Sequence, residues 1–264
     1  MNSKLEDRLW IWPYKMKSKS ALAMADGLDI WMIKHEGSKW KGSTGRYVLN
    51  WGAGTGVFNL DIGNAKLLNT PHQIDLAVNK LDFFRACLGD KAPRLPFWTT
   101  SQQQAKAWLS NGLVVIARTK VEGAKGSGIV VMKKSLDFVP APLYTVRTPS
   151  SGEYRVYMFN GEVLDYRVKL LAKGAEEHPD GMRYEDKYEY CKPKSTEALP
   201  GDISHQAKLA IAKIGLFTGG VDVLYDDTTG LATVLEINSA PYIGKGTADK
   251  YAEAFKDYFE NEAA

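Results

Sequence analysis

The sequence predicts an α+β fold, and three observations predict it. Two segments read as β-hairpins of alternating apolar residues, one closing on Asn160-Gly161 and one on Asp226-Asp227-Thr228-Thr229-Gly230. A third pair of strand-like runs, 113–118 and 129–132, flanks a glycine-rich turn. Helical periodicity falls outside these hairpins, at 74–88, 202–214 and 247–259, so strands pair with their neighbours and helices pack alongside.

A chain of 264 residues has room for one large or two small domains, and 44% hydrophobic with 25% charged residues is a globular composition. Cys87 and Cys191 are too few for a disulfide framework or a zinc site. His35, His72, His178 and His205 stand too far apart for ligand spacing, which leaves a metalloprotease or a histidine-centred triad without support. The net charge of +3 comes without a concentrated basic stripe and stacking aromatics, which argues against nucleic acid as a partner. No apolar run approaches the ~20 residues of a membrane span, and MNSKLEDR lacks a signal-peptide core. The expectation is a cytoplasmic protein with no membrane partner; the oligomeric state is not readable.

Residues 8–70 read as a small α/β unit. Leu9-Trp10-Ile11-Trp12 is a short apolar strand, 18–28 is a helix capped by Ser18 or Ser20, and strands follow at 30–33 and 47–51. Ligands of open α/β sheets sit beyond the carboxyl ends of strands, which places Tyr14, Lys15 and Lys17 at a candidate acceptor site or in a solvated basic turn. Gly52-Ala53-Gly54-Thr55-Gly56 lacks the spacing and the following helix of a dinucleotide fingerprint and reads as a turn. Ile74, Ala77, Val78, Leu81, Phe84 and Leu88 form one apolar face of a helix over 74–88; Lys80 lies off it, as a surface lysine would. Ser101-x-x-Gln104 opens a further helix that Asn111-Gly112 stops.

The turn after 113–118 carries Gly123, Gly126 and Gly128, and a turn without side-chain bulk lets backbone N–H groups approach phosphate oxygens. It is not a Walker loop, because no G-x-x-x-x-G-K-[ST] run enters a helix. Strands 153–159 and 162–169 carry Arg155, Arg167 and Lys169, which either pair across strands with Glu153 or Asp165 or serve a site. The polar stretch 172–201 is a functional flap or a solvated loop. In the last hairpin Val221 and Val223 point to a core and Asp222 points away, while Glu236 and Asn238 share a face opposite Leu235 and Ile237. Two carboxylates and a carboxamide can then converge, which like-charge repulsion disfavours unless a cation compensates; hard oxygen donors suit Mg²⁺. A solvated acidic face is the alternative.

Asp222 followed by Glu236-Ile237-Asn238-Ser239-Ala240-Pro241 resembles the metal-binding end of the ATP-grasp superfamily, in particular the branch of the ribosomal-protein glutamate ligases and glutathione synthetases. Glu122-Gly123-Ala124-Lys125-Gly126-Ser127-Gly128 resembles that branch's phosphate loop, and Asn79-Lys80 its entry to the nucleotide region. The resemblance covers roughly residues 68–246. It implies an ATP-grasp fold with an N-terminal α/β region (1–70), a lid subdomain holding the phosphate loop (71–145), and a C-terminal antiparallel sheet with the metal site (146–264). It implies Asp222, Glu236 and Asn238 as ligands of Mg²⁺, two ions in that family, with Mn²⁺ as a substitute. ATP phosphates would meet Lys80, Arg118, Glu122, Gly123, Lys125, Gly126, Ser127 and Gly128, and adenine the backbone of Leu143, Tyr144, Thr145 and Val146. Arg155 and Lys169 would be the catalytic cations. Arg118 stands where the family usually has lysine, trading a mobile point charge for a planar fork; no acidic ribose contact is found near Tyr144. The implied activity is ATP-dependent carboxylate–amine ligation through an acyl phosphate, on small-molecule or peptide substrates. A phosphotransferase on the same fold and a non-catalytic ATP- and Mg²⁺-binding module are the alternatives.

Overall fold

The computed structural model describes residues 5–123, 126–184, 186–193 and 198–262. A short helix α1 (Leu5–Arg8) leads into β1 (Leu9–Pro13), and α2 (Lys19–Leu28) begins at Ser18, whose hydroxyl accepts the Ala21 N–H at 3.3 Å. β2 (Tyr47–Trp51) and β3 (Lys66–Leu68) complete a parallel sheet in the order β1-β2-β3. The strand expected at 30–33 is reduced to a single parallel bridge between Ile11 and Met32. After the left-handed Asp29 that ends α2, the chain meets β1 through just Ile11 N–H to Trp31 O and Ile33 N–H to Ile11 O. The glycine run after β2 is a turn, tied by the Asn50 side chain to the Ala53 N–H and carbonyl at 3.0 and 2.8 Å.

The apolar stretch 74–88 is carried by two helices instead of one. α3 (Pro71–Val78) and α4 (Lys80–Ala86) break at Asn79, which has ψ 106° and whose side-chain oxygen accepts from Leu81 and Asp82 N–H at 3.1 and 3.2 Å. The break brings Phe83 and Phe84 into the core and leaves Val78 38% and Leu88 57% exposed. Apolar spacing runs through the interruption unchanged, and asparagine is a good cap as well as a tolerated helix residue, so periodicity hides it.

β4 (Trp98–Thr99), α5 (Gln102–Ser110), β5 (Val115–Arg118), β6 (Ile129–Met132) and β7 (Leu143–Val146) build a four-stranded antiparallel sheet, in the order β4-β7-β5-β6, with its helix. Ala105, Leu109, Val115, Ala117, Met132 and Tyr144 form their common core.

β8 (Gly152–Phe159) and β9 (Glu162–Leu171) turn on Asn160 and Gly161, at φ 46° and 81°, as a two-residue hairpin of this twist requires. β10 (Tyr188–Cys191) pairs with the outer edge of β9 inside the polar stretch, where its polarity conceals it from a periodicity argument. After α6 (Gly201–Ile214), β11 (Thr218–Asp226) and β12 (Leu231–Asn238) complete an antiparallel sheet in the order β10-β9-β8-β11-β12, and α7 (Lys245–Glu262) closes the chain. Val156, Met158, Val221, Val223 and Val234 pack with Ile203, Ala207 and Ile211 of α6. The opposite face is divided. Tyr157 and Phe159 pack against Tyr251, Phe255 and Phe259 of α7, in a core shared with α2 and the parallel sheet, whereas Glu153 and Arg155 line a cleft. Among the described residues no helix is long and apolar enough to cross a membrane.

Candidate active site

Strand alternation assembles the floor of this cleft. Arg155 of β8 pairs with Asp222 of β11, and Asp222 with Glu236 of β12, so all three share one face. Lys169 of β9 and Tyr190 of β10 continue it, because Tyr190 is the register partner of Lys169. Arg118 of β5 and the turn residues Gly123, Gly126 and Ser127 face the floor from the other sheet. This space adjoins a second cavity, with which it shares Arg118, Glu153, Met182, Arg183 and Leu235.

A β-bulge shapes the β12 side. Asp222 pairs with Glu236 but Val223 pairs with Val234, which leaves Leu235 as an extra residue. Val234 and Ile237 therefore face the core, while Leu235 and Glu236 both line the cleft. This corrects the expectation that Leu235 lies opposite Glu236; strict period-two reading cannot see a bulge.

The charges are paired. Arg155 donates from Nε and Nη2 to the two Asp222 oxygens at 2.7 and 2.8 Å, and Asn238 Nδ2 donates to Asp222 Oδ2 at 3.1 Å. Lys80, the first residue of α4 and 9% exposed, reaches Glu236 Oε2 at 2.9 Å. It is not a surface lysine. Burial works against the Glu236 carboxylate, but Lys80 and then Arg118 outweigh it and hold the carboxyl below its usual range. Burial likewise opposes the Arg155 cation, and Asp222 more than compensates, holding it well above its usual value. Burial pulls the Arg118 guanidinium down, with Glu236 opposing, and its buried Nε has no hydrogen-bond partner among the described residues. Lys169 does take the cross-strand partner foreseen for it, Glu153, at 2.8 Å.

The structure brings Lys80, Arg118, Gly123, Gly126, Ser127, Arg155, Lys169, Asp222 and Glu236 to one cleft, with Asn238 adjoining through Asp222. Glu122 and Gly128 stand at the base of the turn instead: Asn79 Nδ2 donates to Glu122 at 3.1 Å, and the Gly128 carbonyl accepts from the Thr119 N–H at 2.8 Å. Lys125 lies outside the described residues. Leu143 and Tyr144 are fully buried in two separate cores and line neither of these two cavities. Thr145 and Val146 do, followed by 147–150; with Ile116, Met182, Leu224 and Leu235 they line the second, more apolar cavity.

Sequence reasoning missed several lining residues. Glu153 borders both cavities, and its spacing of two from Arg155 was the available signal. Burial raises its carboxyl, with Lys169 pulling the other way. Met182, Tyr184 and Tyr190 come from the polar stretch, which folds along the cleft together with Arg183, a residue whose charge in that stretch already suggested contact with an acidic substrate or a solvated loop. Arg147 donates to the Asp180 and Gly181 carbonyls at 3.1 and 3.0 Å, and Arg183 to Ser150 Oγ at 3.0 Å. At Gly126, φ is +75° and a Cβ would stand 2.6 Å from the Tyr184 ring, so glycine permits both the turn and the contact.

No family model matches the chain, and no curated protein matches its sequence. Solved structures do. PsnB, an ATP-grasp ligase complexed with a minimal precursor, Mg and ADP, superposes with a TM-score of 0.64 at 11% identity, over 96% of this chain and 97% of that one. The fold is the ATP-grasp fold. The D-alanine–D-alanine ligase from Bacillus anthracis matches with a TM-score of 0.60 at 12% identity, over 97% and 99% of the two chains. The macrocyclase MdnC from Microcystis aeruginosa MRC, bound with precursor peptide MdnA, matches at 0.59 and 12%, over 94% and 98%. The likeness in fold thus spans nearly the whole chain, N-terminal parallel sheet included; the charged cleft lies between the two antiparallel sheets.

Proposed function

We propose that this chain is an ATP-dependent carboxylate–amine ligase that forms an amide bond through an acyl phosphate. The observation that carries the reading is the cleft itself, where Lys80, Arg118 and Arg155 meet Asp222 and Glu236 beneath a glycine turn and beside an apolar cavity. Six basic side chains (Lys80, Arg118, Lys120, Arg155, Lys169, Arg183) line it against three acidic ones (Glu153, Asp222, Glu236). The surplus suits a triphosphate and a substrate carboxylate. The division into an N-terminal region (1–70), a lid (71–145) and a C-terminal part (146–264) belongs to the same reading.

Adenine takes the apolar cavity beside 145–150, and Glu153, at the junction of the two cavities, accepts from the ribose hydroxyls. Lys80, Arg118 and the backbone of Gly123, Gly126 and Ser127 hold the phosphates. Among the described residues no group of three or more His, Cys, Asp or Glu side chains could hold a metal alone. Asp222, Glu236 and Asn238 nevertheless fit Mg²⁺, which prefers a few hard oxygens and completes its shell with phosphate and water. When bound, Mg²⁺ supplies Lewis-acid neutralisation of the phosphate oxygens. A carboxylate oxygen bonds to the γ-phosphorus as the bond to the bridging oxygen breaks, releasing ADP; the amine nitrogen then adds to the acyl carbon and phosphate leaves. Arg155, with Lys169 beside it, stabilises the charge that grows on the transferring phosphoryl and acyl oxygens. The precursor peptide bound by MdnC supports a peptide carboxylate as substrate, and the likeness to the D-alanine–D-alanine ligase supports a small-molecule one.

Mg²⁺-dependent ADP release, screened against amino acids, polyamines and peptides as amines, tests the proposal. Hydroxylamine traps an acyl phosphate in a ligase and nothing in a phosphotransferase. Nucleotide binding without ADP release from any acceptor would leave a binding module. Glu236→Ala should abolish ADP formation with the far-UV spectrum unchanged; undiminished turnover would remove the metal assignment.

A further inference from the structure

Among the described residues, two groups of different chemistry meet the Arg155 guanidinium. Asp222 takes it edge-on through the two hydrogen bonds already described, and the ring of Tyr190 lies against it with the centroid 4.0 Å from Cζ. The Tyr190 hydroxyl donates to Glu153 Oε1 at 3.2 Å, the same oxygen that Lys169 Nζ reaches at 2.8 Å. Lys169 Nζ itself stands 5.2 Å from the ring centroid. One tyrosine from the edge strand β10 therefore stands against three of the charged groups on the cleft floor, Arg155, Glu153 and Lys169.

These contacts respond differently to a loaded site. In the ATP reading, on which this inference rests, Asp222 would also serve a cation, and a carboxylate so shared would hold Arg155 less tightly. The ring face remains, since a cation over an aromatic ring needs no carboxylate. We propose that Tyr190 is a positioning residue for Arg155: its ring holds the guanidinium at the terminal phosphate once Asp222 is engaged elsewhere. The ring serves the terminal phosphoryl group and not the adenine or ribose, which lie toward the other cavity.

Calorimetric titration of the full chain with Mg²⁺-ADP and with a Mg²⁺-bound non-hydrolysable ATP analogue tests this. Tyr190→Leu should weaken the triphosphate analogue about tenfold, between the values of an exposed and a desolvated cation–π contact, and leave ADP affinity within about twofold. Tyr190→Phe keeps the ring and should restore triphosphate affinity to near wild type. In an Arg155→Gln background Tyr190→Leu should add no further loss, because a residue acting through Arg155 is silent without it. Equal loss of ADP and triphosphate, failure of phenylalanine to rescue, or an additive double variant would each overturn the assignment. Wild-type protein that takes neither nucleotide would instead sink the ATP reading and this inference with it. Wild type that binds both, with Tyr190→Leu unchanged, would sink the role of Tyr190 alone.

Discussion

Removing the guanidinium that faces Asp222 should cost the fold a measurable part of its stability. In Arg155→Met the side chain keeps its length, but Asp222, 5% exposed, loses both hydrogen bonds from a partner that is itself 9% exposed. Breaking one side of a buried ion pair costs about 3–5 kcal/mol, because the remaining charge is stranded. For a chain of this size about 1 kcal/mol moves the melting temperature by about 2–4 °C, so the expected fall is roughly 6–20 °C. Replacing both partners, Arg155→Met with Asp222→Leu, removes the stranded carboxylate and should recover most of that loss. Thermal unfolding followed by circular dichroism at neutral pH measures all three proteins. Added Mg²⁺ should raise the single variant more than the wild type, since a divalent ion then supplies the missing positive charge. A single variant that melts with the wild type, or a double variant that falls as far as the single one, would refute the electrostatic account of the floor.

Three further outcomes follow from named contacts. Lys80→Ala takes the nearest cation from Glu236 and should weaken ATP binding about tenfold to a hundredfold by calorimetry, the range of a charged hydrogen bond; unchanged affinity would mean that Lys80 serves Glu236 alone. Gly126→Ala forces a side chain onto φ +75° against the Tyr184 ring and should cost about 1–2 kcal/mol, with faster proteolysis of the 172–193 stretch; an unaltered melt and cleavage pattern would deny that contact. Burial acts against the Asp165 carboxylate, but Lys250, Thr247 and Arg167 hold its pKa below the usual value. Its contribution is therefore complete above the unfolded pKa of about 4 and is lost as pH falls through the lower folded value. Asp165→Asn should flatten the acid limb of stability against pH between about 2 and 5, and an acid limb identical to wild type would show that other carboxylates govern it.

What could be read from the chain depended on whether the information was local. Asn160-Gly161 demands positive φ twice in succession, and the structure has it at both residues. The strands around Asp222 and Glu236 were legible for the same reason, a polar turn between alternating runs. The site's charged residues were legible one at a time, whereas their partners were not: nothing near Lys80 in sequence announces Glu236, and nothing near Arg155 announces Asp222. The helix over 74–88 misled because a side-chain cap at Asn79 leaves the apolar spacing intact. Tyr190 was hidden because β10 exists by virtue of the β9 edge it bonds to and has little intrinsic pattern of its own. Leu143 and Tyr144 were assigned to adenine by position alone, and the core claimed both.

The extra residue on β12 makes that strand intolerant of length change. Deleting Leu235 would restore plain alternation and leave Glu236 beside Lys80, but it would strip the apolar wall that Leu235 gives both cavities. An insertion in the neighbouring tip at 226–230, which is largely exposed, would be absorbed by solvent. Relatives of this chain should accordingly vary in loop length two or three residues away while keeping the spacing from Val234 to Asn238 fixed.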